Sequence, residues 1–134
     1  MSMPLDPFMR ALGFEGGSDT PGEAWLSAVV QPEHLNNWDT AHGGFLFALA
    51  DSAFALAANS RGSLAVSLAA HIEHLKPGKL GDTLVARARE VSLSRRTGVY
   101  QVEIHRGDTL IALFTGTVHR MQEASTHPKP EPTP

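Results

Sequence analysis

Hydrophobic and polar positions change their period along this chain, and the changes mark its elements. Asp6 as N-cap and Pro7 at the first helical position, then Phe8, Met9, Ala11 and Leu12, predict a short amphipathic helix closing at Gly13. Gly-Gly, Asp-Thr and Pro-Gly punctuation follows, and then the alternating run EAWLSAVV. From Phe14 to Val30 this predicts a strand pair turning near Pro21 and Gly22. Gln31 to Ala41 is polar and irregular. His42 to Ser60, HGGFLFALADSAFALAANS, is apolar almost throughout. Wound as a helix, it sets Gly44, Phe47, Ala48, Phe54, Ala55 and Ala58 on the side of Asp51, with Leu46, Leu49, Ala53 and Leu56 opposite. Both sides are apolar, and the uninterrupted run is shorter than the ~20 residues that span a bilayer, so it predicts a buried central helix ending in cap residues at 59–62.

From Leu64 the period becomes two. LAVSLAAHIEHLK, TLVARAREVSL, VYQVEIHR and TLIALFTGTVHRM read as four strands, joined by the turns PGKLGD, SRRTG and RGD. Tight turns between consecutive strands predict an antiparallel arrangement, and the alternation of Tyr100, Val102 and Ile104 with Gln101, Glu103 and His105 predicts one covered face. A sheet with one apolar face and a helix apolar all round have a joint solution, a sheet curled round the helix. This is an α+β fold, and the helix's second side then requires a cover from another subunit.

Asp51 is the charge that this pattern does not explain. It sits too deep in the helix to be an N-cap, and an ionised carboxylate there costs several kcal/mol unless paired, hydrogen-bonded or set at a wet cleft. Such groups concentrate at functional sites, although backbone or hydroxyl partners would make it structural.

Length and composition narrow the class. With 134 residues the chain is one domain, placed at 1–122, and the Pro-rich end EASTHPKPEPTP makes 123–134 a disordered tail by composition. A net charge of -3 with no basic stripe excludes nucleic acid as a general partner. The absence of cysteine excludes disulfides, thiolate nucleophiles and Cys zinc sites. His71 and His74, three apart in a strand, face opposite sides and make a poor metal pair, so no metal is expected; His34, His105, His119 and His127 read as surface or edge residues. Without a charged leader and apolar core at the start, the default is a soluble cytoplasmic protein with no membrane partner.

Asn36, then His42-Gly43-Gly44, then Asp51 within LADSAFALAANS, resembles the hotdog-fold acyl-CoA thioesterases of the phenylacetic-acid-degradation (PaaI) type. The resemblance continues through HLKPGKLGD at 74–82, RRTGVYQVEI at 95–104 and ALFTGTVHR at 112–120, with Ser52 standing where Thr is common. It implies a hotdog fold, a curled antiparallel sheet around one long helix, paired into dimers with a continuous sheet and assembled further into a tetramer. It also implies an acyl-CoA substrate such as phenylacetyl-CoA, hydroxylated aryl or medium-chain relatives, and no cofactor, coenzyme A being part of the substrate. By position it makes Asn36 the contact to the thioester carbonyl, Ser67 a hydroxyl that helps hold water, and His42 the neighbour of the glycine pair that either orients the loop or polarises the thioester.

The chemistry is reasonable in itself. Thioester hydrolysis needs donors for a developing oxyanion and a carboxylate that activates water or attacks directly. Gly43 and Gly44 at a helix start leave N–H groups unmasked at the positive end of the helix dipole, although a tight entry turn accounts for a glycine pair equally well. Eight residues of helix separate Gly43 from Asp51 by roughly 12 Å, too far for both to act on one carbonyl, so two chains are needed. The resemblance says the same, with Gly43 and Asn36 of one protomer facing Asp51 of the other. Lys76, Arg95 and Arg96 lie in turns matching those that could hold CoA phosphates. Two other functions fit the fold: an acyl-CoA or acyl-carrier hydratase using a His and an acid, and a non-catalytic acyl-CoA binding module, which would have no need of Asp51.

Overall fold

A computed structural model describes residues 3–121; the tail assigned to 123–134 lies outside the described residues. The chain runs α1 (Pro7–Ala11), β1 (Glu15–Gly17), β2 (Glu23–Val29), a 3-10 turn (Pro32–His34), α2 (Gly43–Ala58), β3 (Ala65–His74), β4 (Thr83–Leu93), β5 (Thr97–Arg106) and β6 (Thr109–Arg120). At α1 the Asp6 carboxylate accepts from the Met9 N–H at 2.8 Å, and Gly13 closes the helix at φ 77°. The six strands form one antiparallel sheet in the order β1-β2-β4-β5-β6-β3, and α2 packs against β2, β4, β5, β6 and β3. This is the expected curled sheet around one helix.

One connection differs from a hairpin reading. β4, β5 and β6 form a meander, but β3 pairs with β6 at the far edge rather than with β4. The PGKLGD segment is a crossover: Leu75 and Lys76 donate to the Ile111 carbonyl, Gly78 accepts from Ala41, and Gly81 donates to Val30. Because the sheet curls, eight residues suffice to carry the chain from the β6 side past the start of α2 to the end of β2. The turn residues were legible; the partner of β3 depended on curvature.

Helix and sheet meet on an aromatic cluster in which Phe54 contacts Tyr100 and Phe114, with ring centroids 5.9 and 5.4 Å apart. Gly116 of β6 lies beneath Phe54, and a Cβ there would stand 2.6 Å from the ring. Gly116→Ala therefore forces helix and sheet apart, and we expect a loss of about 1–3 kcal/mol, read as a lowered Tm in thermal unfolding. An unchanged Tm would show that Phe54 has room to move.

Past α2, Arg61 holds Glu90 of β4 through two hydrogen bonds of 2.8 and 3.0 Å, and the buried Tyr100 hydroxyl donates to the same carboxylate at 2.9 Å. The hydrogen bonds from Arg61 hold the Glu90 carboxyl below its ordinary range, while burial and then the bond to Glu90 push the Tyr100 hydroxyl up to about 12. A depressed folded-state pKa stabilises the protein above the unfolded value of about 4.3 and ceases to do so as pH falls through the folded value. In an acid titration of Tm, the advantage of the native protein over Glu90→Gln should shrink below about pH 4. An advantage that stays constant down to pH 2 would remove this ionic contribution.

Two surfaces remain uncovered. On α2, Phe54 and Ala58 are buried, which narrows the open stripe to Gly44, Phe47, Ala48, Asp51 and Ala55. On β3, no strand among the described residues lies beside the outer edge, and Val66 and Leu68 are 44% and 61% exposed.

Candidate active site

The loop before α2 is held by contacts that its sequence barely announces. His34, expected at the surface, is buried: its ring stacks on Phe45 at 4.0 Å, its Nδ1 accepts from the Gln31 N–H, and its carbonyl accepts from His42. The polar ring is tolerated inside because its nitrogen and the neighbouring backbone are satisfied. Further along, the Asn36 Oδ1 accepts from the Trp38 and Thr40 N–H groups at 2.9 and 3.1 Å, and Nδ2 donates to the Thr40 hydroxyl. Asx-type bonding of this kind folds the loop back on itself, with Asp39 at φ 60°. One N–H of the Asn36 amide remains to be offered elsewhere.

His42 is the N-cap of α2. Its Nδ1 accepts from the Gly44 N–H at 2.8 Å, which places the proton of the neutral ring on Nε2. The two glycines thus have different fates. The Gly44 N–H is taken up by His42, whereas among the described residues nothing accepts from the Gly43 N–H. A free donor at the positive end of a sixteen-residue helix is suited to a developing negative charge.

Asn36, Thr40, Gly43, Leu46, His74 and Lys76 line one cleft of about 310 Å³. Three residues chosen from sequence, Asn36, Gly43 and Lys76, therefore come together. His74 joins them unforeseen. A bulge between Ser67 and Ala69 shifts the alternation of β3, so that Ser67, Ala70, Ile72 and His74 lie opposite Val118, Gly116, Phe114 and Ala112, the inward positions of β6. His71 points outward, as the spacing required. Only the bulge could have announced that Ser67 and His74 share a face, and a one-residue bulge leaves little trace in composition.

Asp51 is absent from the cleft. It lies half-buried on the open stripe of α2, where burial raises its carboxyl above the ordinary range, and no partner among the described residues offsets this. Arg95 and Arg96 occupy the exposed β4–β5 turn, which adjoins the Ala65 end of β3 through Thr97, His119 and Val66. The cleft lies at the His74 end of the same strand, about 30 Å away at ~3.3 Å per residue. Within one protomer, then, the cleft has hydrogen-bond donors but lacks both the carboxylate and the arginine pair.

The Thioesterase superfamily model matches residues 39–112, a segment running from the loop into the start of β6. The chain is 43% identical to the Escherichia coli acyl-coenzyme A thioesterase PaaI over 87% of its own length and 84% of that protein. Among solved structures, a mutant of the phenylacetic acid degradation protein PaaI from Thermus thermophilus superposes with a TM-score of 0.84 at 52% identity, covering 87% of this chain and all of that one. A Streptococcus mutans protein described as bound to acetyl CoA superposes with a TM-score of 0.78 at 34% identity, over 82% of this chain and 90% of that one. No helix among the described residues is long and apolar enough to cross a membrane. With such identity sustained through the loop, helix and sheet that shape the cleft, the chain belongs to the Thioesterase superfamily and is a hotdog-fold thioesterase of the phenylacetic-acid-degradation type.

Proposed function

We propose that the chain hydrolyses acyl-CoA thioesters, with phenylacetyl-CoA and related aryl or medium-chain esters as substrates, at sites shared between two subunits. The observation that carries this reading is the separation within one protomer: Asn36 and the free Gly43 N–H sit in the cleft, whereas the one carboxylate suited to the chemistry lies elsewhere on an uncovered helix stripe. Pairing β3 with its copy across a two-fold axis would satisfy the apolar edge and cover the stripe. Antiparallel pairing sets the Ala65 end of the partner beside the His74 end of the first chain, bringing the partner's Arg95 and Arg96 toward the cleft.

In this arrangement the thioester oxygen accepts from Gly43 N–H and the Asn36 amide, while Asp51 of the partner subunit faces the carbonyl carbon. As general base it takes a proton from water held with the help of the partner's Ser67, which lies near the Ala65 end of β3; the hydroxide oxygen bonds to carbon, and the carbonyl electron pair moves onto oxygen. When that pair returns, the C–S bond breaks, CoA leaves as thiolate and takes up the proton held by Asp51, and the acid is released. As nucleophile, Asp51 would form a mixed anhydride that water then opens. His42 acts by capping the helix and orienting Gly43. Gly44 serves the turn, and Lys76, Arg95 and Arg96 meet the CoA phosphates. No cofactor is required beyond the coenzyme A carried by the substrate. The dimer is the minimal unit and pairs further into a tetramer, and the activity belongs to the cytoplasm in this reading.

Incubation with a panel of acyl-CoA esters tests the reading, following free thiol and enoyl absorbance together. Thiol release is the expected result. Loss of enoyl absorbance without thiol would identify a hydratase, and binding without either would identify a carrier. Sedimentation that shows an active monomer at micromolar concentration would overturn the shared site.

A further inference from the structure

His74 closes β3 opposite Ala112, and the bulge between Ser67 and Ala69 turns its side chain toward the start of α2. The imidazole lies against Gly43: a Cβ at that glycine would stand 3.4 Å from His74 Nε2 and 3.5 Å from Cε1. Both residues line the cleft with Asn36. Among the described residues neither ring nitrogen of His74 has a hydrogen-bond partner, and the side chain forms no ion pair. The ring is thus free, unlike His34 and His42, whose Nδ1 atoms serve the backbone. The exposed imidazole, with Nε2 beside the helix start that carries the free Gly43 N–H, can present an N–H to the same cleft.

We propose that His74 is a further catalytic residue, donating a hydrogen bond from Nε2–H to the thioester oxygen beside Gly43. The inference rests on the oxyanion position proposed above. No proton needs to be transferred: the neutral imidazole keeps its proton, and the bond strengthens as charge grows on oxygen and relaxes when the C–S bond breaks. The bond therefore acts on kcat. A ring that merely walled the cleft would act on substrate binding instead, through KM.

The test compares His74→Phe, which keeps an aromatic ring but loses the donor, with His74→Gln, which keeps an N–H near the Nε2 position. We expect the Phe variant to lose about 100-fold in kcat with KM changed less than about threefold and Tm unaltered, and the Gln variant to recover most of that loss. A folded Phe variant with native kcat would overturn the proposal, as would Phe and Gln variants equally slow. Gly43→Pro in parallel separates the two readings. If Gly43→Pro is inactive while His74→Phe turns over normally, only the role of His74 fails; if Gly43→Pro turns over normally, the oxyanion position itself fails. Should both variants fall in kcat, with rescue by Gln, the two donors share one oxygen.

Discussion

Asp51→Asn should abolish turnover while leaving the fold intact or firmer. Asn matches Asp in shape, yet it can neither take a proton from water nor attack a carbonyl carbon as a carboxylate. A loss of about 100-fold to 10,000-fold in kcat is expected from removal of a general base, and at least as much from removal of a nucleophile. Stability should move the other way. Burial raises the Asp51 carboxyl without a compensating partner among the described residues, so its ionised form costs folding free energy at neutral pH. That cost disappears on protonation, below the unfolded value of about 3.9. The Tm of Asp51→Asn should therefore exceed that of the native protein at pH 7, and the gap should narrow as pH falls toward 4. For the same reason the acid limb of kcat/KM in the native enzyme should lie above the ordinary Asp range, because turnover requires the ionised form. A variant with near-native kcat and a lowered Tm would mean that Asp51 is a structural carboxylate.

Gly43→Pro should inactivate the enzyme by a different route. Gly43 is the first residue of α2, where the fixed φ of proline is already helical and the missing N–H breaks no intrahelical bond. His42 before it has φ -60° and ψ 138°, the extended region that a following proline requires. The helix should form as before, with the proline ring occupying the place of the free N–H. Loss of one oxyanion donor costs about 100-fold to 1,000-fold in kcat, so activity should fall by that factor or more with little change in Tm. Native turnover in a folded Gly43→Pro protein would remove Gly43 from the chemistry. The two variants also report on each other. In mixed dimers, one site combines an intact Gly43 from the Asp51→Asn chain with an intact Asp51 from the Gly43→Pro chain. Random mixing of two inactive chains should restore about a quarter of native activity if the site is shared between subunits. No recovery after exchange would place both groups in a single chain.

Much of this molecule was readable from the order of its residues, because the signals concerned are local. The cap at Asp6 and Pro7, the apolar run from Gly43 to Ala58 and the alternation through β4, β5 and β6 depend on neighbours within a turn or a pleat, and each element stands where its pattern put it. The isolation of Asp51 in an apolar helix was legible for the same reason. Tertiary structure decided what lies between elements. The partner of β3 follows from the curl of the sheet, which no single strand encodes. His34 looked like a loop residue, and it is buried because Phe45, eleven positions later, supplies a ring to stack on. Gly43 and Gly44 are equivalent as letters; the His42 side chain engages one N–H and leaves the other free. His74 reads as half of a failed metal pair until the bulge in β3 turns it inward against Gly43. Local pattern thus determined the elements and the odd carboxylate, whereas curvature, a one-residue bulge and a single capping bond determined which groups meet in the cleft, because each depends on contacts between residues far apart in the chain.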